Sequence, residues 1–209
     1  MNKLFIIGLP RTGTTSVSTA LLEYDLKVAH TAFTKRTFEL ADVFSDTPCY
    51  CDYPQLDKLF PNSKFVYLDR AIELWVPSIR MLLTKMQKNL SSDGHFNPIM
   101  KRCFNTTFEL PNTGDPLTTD HLTHCYQQHQ LKVSGYFSGR NDLLSIDVSQ
   151  PDGLKKLLGF IDVSMKTDSE FPHLNAGRMV TTWKDIKHPN KINSNASGPE
   201  RRKFLDYAQ

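Results

Sequence analysis

Apolar residues along this chain fall into short continuous runs, separated by stretches in which they recur every three or four positions. The first run, KLFII at residues 3–7, is rich in branched and aromatic side chains and stops at Gly8 and Pro10, which predicts a buried parallel strand. From Thr14, TTSVSTALLEY sets Val17, Ala20, Leu21 and Tyr24 at helical spacing. A second apolar strand, 65–68, follows the turn signal FPNS. Trp75, Ile79, Leu82, Leu83, Met86 and Leu90 mark one stripe of a long amphipathic helix; Pro77 fits it only near the start, where a missing N–H costs little. A helix over 120–132, a third strand in DLLSIDV and a short helix begun by Pro151 or Asp152 follow. Residues 91–118 are turn-rich (SSDGHFNP, LPNTGDPL) and read as an irregular insertion. The polar stretch 181–209 is read as a tail, with a packed strap and a mobile segment both open. Strands alternating with helices predict an α/β fold with a mainly parallel sheet. Its ligand end is at the strands' carboxyl termini, where Gly8, Arg70 and Asp147 fall.

Composition narrows the classes without choosing among them. The 209 residues suffice for one domain with a core, and 39% hydrophobic with 22% charged residues is ordinary for a globular protein. A net charge of +3 is too small to argue for nucleic acid and suits a small polyanionic ligand. The opening apolar run, 4–9, is far shorter than the ~20 residues of a membrane span, so a cytoplasmic protein without a span is expected. Cys49 and Cys51 form a C-x-C pair without the usual zinc spacing, and all four cysteines are expected to be reduced structural thiols. His121, His124 and His129 share one helix without assured partner ligands, so no metal is expected.

The chemistry begins at GLPRTGTTS, residues 8–16. The spacing G-x-x-x-x-G between a strand and a helix is that of a phosphate-binding loop, but Thr14 stands where a nucleotide triphosphatase places its lysine. Such a loop aims backbone N–H groups and a helix dipole at an anion. Gly8 and Gly13 let the backbone approach, Thr14, Thr15 and Ser16 offer hydroxyls, and Arg11 offers a permanently charged fork. The fold expected from this context is a three-layer P-loop NTPase-like one. With no lysine and no clear acidic strand end, a magnesium-triphosphate enzyme is disfavoured. Further on, YLDRAIELWVPS places Arg70 at a strand end and Ser78 eight residues later in the following helix, a second pair able to converge on a phosphate.

Together, these two motifs resemble the donor-binding signatures of the sulfotransferase superfamily, which uses 3′-phosphoadenosine 5′-phosphosulfate (PAPS). AHTAFTK, DTPCYCDYPQLDKLFPNSKFVYL, NDLLSIDVSQPDGLKKLLGFI and FPHLNA extend the likeness to a bacterial-type branch over residues 3–178. The resemblance implies that Pro10, Arg11, Thr12, Gly13, Thr14, Thr15 and Ser16 hold the 5′-phosphosulfate, while Arg70 and Ser78 grip the 3′-phosphate. The second motif departs from the frequent R-D-P as Arg70-Ala71-Ile72, and Asp147 stands where many members carry a tyrosine. Domain limits of 1–180, containing the acceptor-side insertion 91–118, follow from the same likeness. The implied activity is sulfuryl transfer from PAPS to a hydroxyl or amine of a small molecule, lipid or sugar, releasing adenosine 3′,5′-bisphosphate. Arg11 is the expected cation at the leaving group, with Asp46, ranked slightly ahead, or His30 as general base. A diverged P-loop kinase or nucleotide hydrolase and a non-catalytic adenosine-phosphate-binding domain remain as alternatives.

Overall fold

The computed structural model describes residues 3–166, 170–172 and 183–197. Five parallel strands form one sheet: β1 (Leu4–Ile6), β2 (Val28–Ala29), β3 (Val43–Ser45), β4 (Lys64–Asp69) and β5 (Leu143–Asp147). Among the described residues seven helices flank it: α1 (Thr14–Leu22), α2 (Lys35–Leu40), α3 (Cys49–Leu59), α4 (Ile72–Leu90), α5 (Pro98–Phe108), α6 (Thr119–Tyr136) and α7 (Gly153–Phe160). The sheet order is β2-β3-β1-β4-β5, so β1 lies at the centre; the chain crosses from it to the edge strand β2, returns through β3 beside β1, and continues on the other side through β4 to β5. The crevice beyond such a central strand is where α/β sheets bind ligands.

Alternation along the strands builds two cores. Leu4, Ile6, Val43, Val66 and Leu68 face α1 and α7, where they meet Val17, Leu21, Leu154 and Leu157. Phe5, Ile7, Phe44, Phe65 and Tyr67 face the opposite layer, with Phe38 of α2, Tyr53 and Leu56 of α3 and Val133 of α6. A third cluster caps the carboxyl side: Leu9, Tyr50, Trp75, Ile79, Phe104, Phe108, Leu122 and Tyr126 join the loop after β1 to α3, α4, α5 and α6. Among the described residues no helix is long and apolar enough to cross a membrane.

The insertion is not irregular throughout. Within 91–118 the 11-residue helix α5 is started by the Asn97 side chain, which accepts from Ile99 N, and by Pro98 in the first turn. Cys103, Phe104 and Phe108 are its buried stripe, so the turn residues bracket a helix instead of replacing it. Pro77 sits in the second turn of α4, beyond the positions whose N–H groups are free anyway, and so removes one intrahelical bond. β2 and β3 have only two and three residues, too few for periodicity to reveal. Residues 183–197 are packed as a strap along β2. Val28 N donates to Asn190 O and Ile192 N to Val28 O, both at 2.9 Å, with Lys191 bridging Val28 in parallel.

Candidate functional site

The glycine loop leaves β1 and turns sharply before α1. Arg11 takes φ 73° and Gly13 φ 107°. Leu9 O accepts from both Thr12 N (3.2 Å) and Thr12 Oγ1 (2.7 Å), closing the turn. A Cβ on Gly8 would lie 2.5 Å from Leu68 Cβ, and one on Gly13 2.5 Å from Val148 Cγ2, so both glycines are required by close approach. The first intrahelical bond of α1 is Val17 N to Gly13 O at 3.1 Å. The N–H groups of Thr14, Thr15 and Ser16 precede it and form the open, electropositive helix end on which anions bind. Pro10 is buried, and its carbonyl accepts from Trp75 Nε1 at 2.9 Å, which fastens the loop to α4.

The two sequence motifs meet. Arg11 Nε donates to Ser78 Oγ at 2.8 Å, and Arg70 Nη1 donates to Arg11 O at 2.5 Å. Two guanidinium groups therefore share one end of the sheet. Burial, then the Arg70 charge, lowers the Arg11 pKa, while Asp46 opposes the shift. Arg70 is held at the end of β4 by Tyr126 of α6. The Tyr126 hydroxyl donates to Asp69 Oδ1 (2.5 Å) and accepts from Arg70 N (2.8 Å). Asp147, in register with Asp69, accepts from Ser149 N at 2.8 Å and shapes the turn after β5.

His30 and Asp46 follow the ends of β2 and β3. Thr15 Oγ1 and Ser18 Oγ of α1 lie 3.4 Å from His30 Nε2 and Nδ1, respectively. Ser45 Oγ lies 2.7 Å from Nδ1 and 2.7 Å from Ser18 Oγ, so the Nδ1 edge is tied to a buried hydroxyl pair. Asp46 Oδ2 faces Nε2 at 3.8 Å, while Asp46 Oδ1 accepts from Thr47 N (2.7 Å) and Thr47 Oγ1 (3.1 Å). Burial holds the His30 imidazole below its ordinary value of 6.5; Asp46 pulls the other way and Lys191 adds to the lowering. Trp183 of the strap packs against the imidazole in a tilted contact, with centroids 5.4 Å apart and ring planes at 41°. Ser18, Ser45, Tyr126 and Trp183 are the site residues that the sequence pattern did not single out. Thr15 and Ser18 stand three residues apart on α1, and this spacing was the available signal for one shared face.

Other candidates separate. His121 Nε2 and His129 Nε2 bond to the Phe108 and Tyr50 carbonyls, each at 2.9 Å, and do not converge. All four cysteines are free. The fold brings Cys103 to the C-x-C pair: Cys51 Sγ, an Asp52 oxygen and Cys103 Sγ lie within 4.8 Å of one another. Asp52 is already engaged by both Arg102 nitrogens, at 2.8 and 2.5 Å. Phe33, Phe38, Tyr50 and Phe104 are buried, and Phe96 packs against the α4–α5–α6 cluster.

A family model described as "Sulfotransferase domain" matches residues 27–180. The matched span contains His30, Asp46, Arg70 and Ser78 and begins after the glycine loop. No curated protein matches the chain.

Proposed function

This chain belongs to the sulfotransferase domain family, and from that membership we propose that it transfers a sulfuryl group from PAPS to a hydroxyl or amine on a small molecule, lipid or sugar. The observation that carries the reading is the Arg11–Ser78 bond at 2.8 Å, which joins the glycine loop to the motif around Arg70. In this reading residues 10–16 hold the 5′-phosphosulfate, with the loop N–H groups and the Thr14, Thr15 and Ser16 hydroxyls as donors. Arg70 and Ser78 grip the 3′-phosphate. Arg11 neutralises charge that grows on the leaving phosphate. With two guanidinium groups as the cations, the reading calls for no metal.

The base is His30 rather than Asp46. Asp46 Oδ1 is already committed as acceptor to Thr47 N and Thr47 Oγ1. A neutral imidazole with Nε2 directed at a carboxylate 3.8 Å away is better suited to take a proton and then be stabilised as a cation. The acceptor oxygen bonds to sulfur as the bond from sulfur to the bridging oxygen breaks. Adenosine 3′,5′-bisphosphate departs with that electron pair, and the acceptor proton passes to His30 Nε2.

Thermal unfolding with adenosine 3′,5′-bisphosphate or ATP, each with and without magnesium, tests the donor. A ligand at 100 times its Kd adds about 2.7 kcal/mol. Stabilisation by the bisphosphate without magnesium is expected; a response to Mg-ATP alone would overturn the reading. Transfer of labelled sulfate to an acceptor panel then separates enzyme from binder.

A further inference from the structure

The strap 183–197 lies outside the span that the family model matches, yet it reaches His30. Its path is tied down at many points. Beyond the Val28 bonds, Phe33 N donates to Ser194 O (3.0 Å), Thr34 Oγ1 to Ala196 O (2.8 Å), and Thr37 Oγ1 to Asn193 O (2.9 Å) and Ser194 O (3.0 Å). At its near end, Lys191 Nζ donates to Trp183 O and, at 2.8 Å, to Ile186 O, and lies 4.9 Å from the centroid of the Trp183 ring. One lysine thus closes residues 183–191 into a short loop and fixes the indole, which in turn meets the imidazole at 5.4 Å. Lys191 is also the residue whose backbone bridges Val28, two residues before His30, so its main chain meets the strand while its side chain holds the indole.

We propose that Trp183 and Lys191 are positioning residues for His30, with the strap completing the proton-accepting side of the site from outside the matched domain. The inference rests on the reading of His30 as base. Trp183 packs against the imidazole at 41° and restricts its rotation, so that Nε2 stays directed at Asp46. The other groups around His30 are Thr15 and Ser18 from α1, and Ser45 and Asp46 from the end of β3. Of these only Asp46 is charged, and it favours the imidazolium; Lys191 and the Trp183 packing act against it. Removing either strap residue therefore raises the His30 midpoint.

The test is direct titration of the His30 imidazole by NMR on the full chain, assigned with His30→Asn, in the wild type, Trp183→Leu, Trp183→Phe and Lys191→Met. Each variant is checked for an unchanged far-ultraviolet spectrum. Trp183→Leu and Lys191→Met are expected to raise the midpoint by about half a unit or more, and Trp183→Phe, which keeps a ring, to restore most of it. Equal midpoints in all four proteins would overturn the inference. The readout does not depend on turnover: raised midpoints in a protein that transfers no sulfate would sink the functional reading and leave the strap's role standing. In an active protein, the acid limb of kcat/KM moves to higher pH in Trp183→Leu and Lys191→Met.

Discussion

At the scale of single residues, Arg11 carries the sharpest expectation, because its geometry is shared by two motifs. Its left-handed backbone (φ 73°) turns the loop, its carbonyl accepts from Arg70 and its side chain reaches Ser78. Arg11→Ala is expected to lower kcat by about 10²–10³, the usual cost of removing one preorganised electrostatic donor, with a smaller effect on donor affinity while Arg70 and Ser78 remain. Steady-state kinetics check this, and equal losses in kcat and donor affinity would reassign Arg11 to binding. His129 makes a different prediction. Its Nε2 serves the Tyr50 carbonyl, its Nδ1 is buried without a partner, and burial pushes its pKa down to about 4. The folded state therefore takes up this proton less readily than the unfolded chain. The stability involved is fully present above pH 6.5 and is lost as pH falls from 6.5 towards 4, in total about 3 kcal/mol. Urea unfolding between pH 7 and 4 should show the decline. His129→Gln, which keeps an N–H for the Tyr50 carbonyl, should flatten it without abolishing it, since the His30 pKa is lowered too.

At the scale of elements, the glycine loop depends on what β5 presents to it. Val148, just after β5, leaves no room for a Cβ on Gly13, and φ 107° is a conformation L-residues avoid. Gly13→Ala combines overpacking with backbone strain, each typically 1–3 kcal/mol. A loss of roughly 2–5 kcal/mol in chemical denaturation is expected, together with loss of the bisphosphate-induced thermal shift. A variant as stable as the wild type would show that Val148 can move aside. The same contact explains how much of the site was legible from the chain. Strand-loop-helix grammar, Arg70 at a strand end and Ser78 early in a helix are local patterns, and the structure brings them together as their spacing suggested. Ser45 was not legible, because it ends a three-residue strand whose position against His30 and Ser18 is set by sheet order alone. Helix α5 was hidden for another reason: its buried stripe belongs to an interface with α4 and α6, while its flanks carry the turn residues. The Cys51–Cys103 proximity is likewise a product of α3 meeting α5, which no spacing within one segment encodes.

At the scale of the whole molecule, the polar segment 183–197 is held in place by what it does for the sheet edge. β2 is only two residues long and would be an open sheet edge beside the site. Exposed edges of that kind invite non-native pairing and fray readily. The strap answers both hazards by bonding the free side of Val28, and its anchor is the fully buried Thr37 of α2. The Thr37 hydroxyl is bonded to the Asn193 and Ser194 carbonyls and accepts from Ala196 N at 3.2 Å. Thr37→Val keeps the shape of that side chain and removes every one of these bonds. Asn193 O keeps Ala196 N and Ser194 O keeps Phe33 N, so the cost is the net worth of the lost hydroxyl bonds, about 1–3 kcal/mol in all, and it falls on the strap rather than on the sheet core. Hydrogen exchange should therefore speed up at Phe33 and Ile192, whose N–H groups bond across the strap junction, by about tenfold or more for each 1.4 kcal/mol lost. Amides of β1 and β4 should keep wild-type protection, since their partners lie within the sheet. Uniformly faster exchange over strap and sheet alike would mean that the two unfold as one unit, and would make the strap part of the core instead of a separately anchored cover for the edge and for His30.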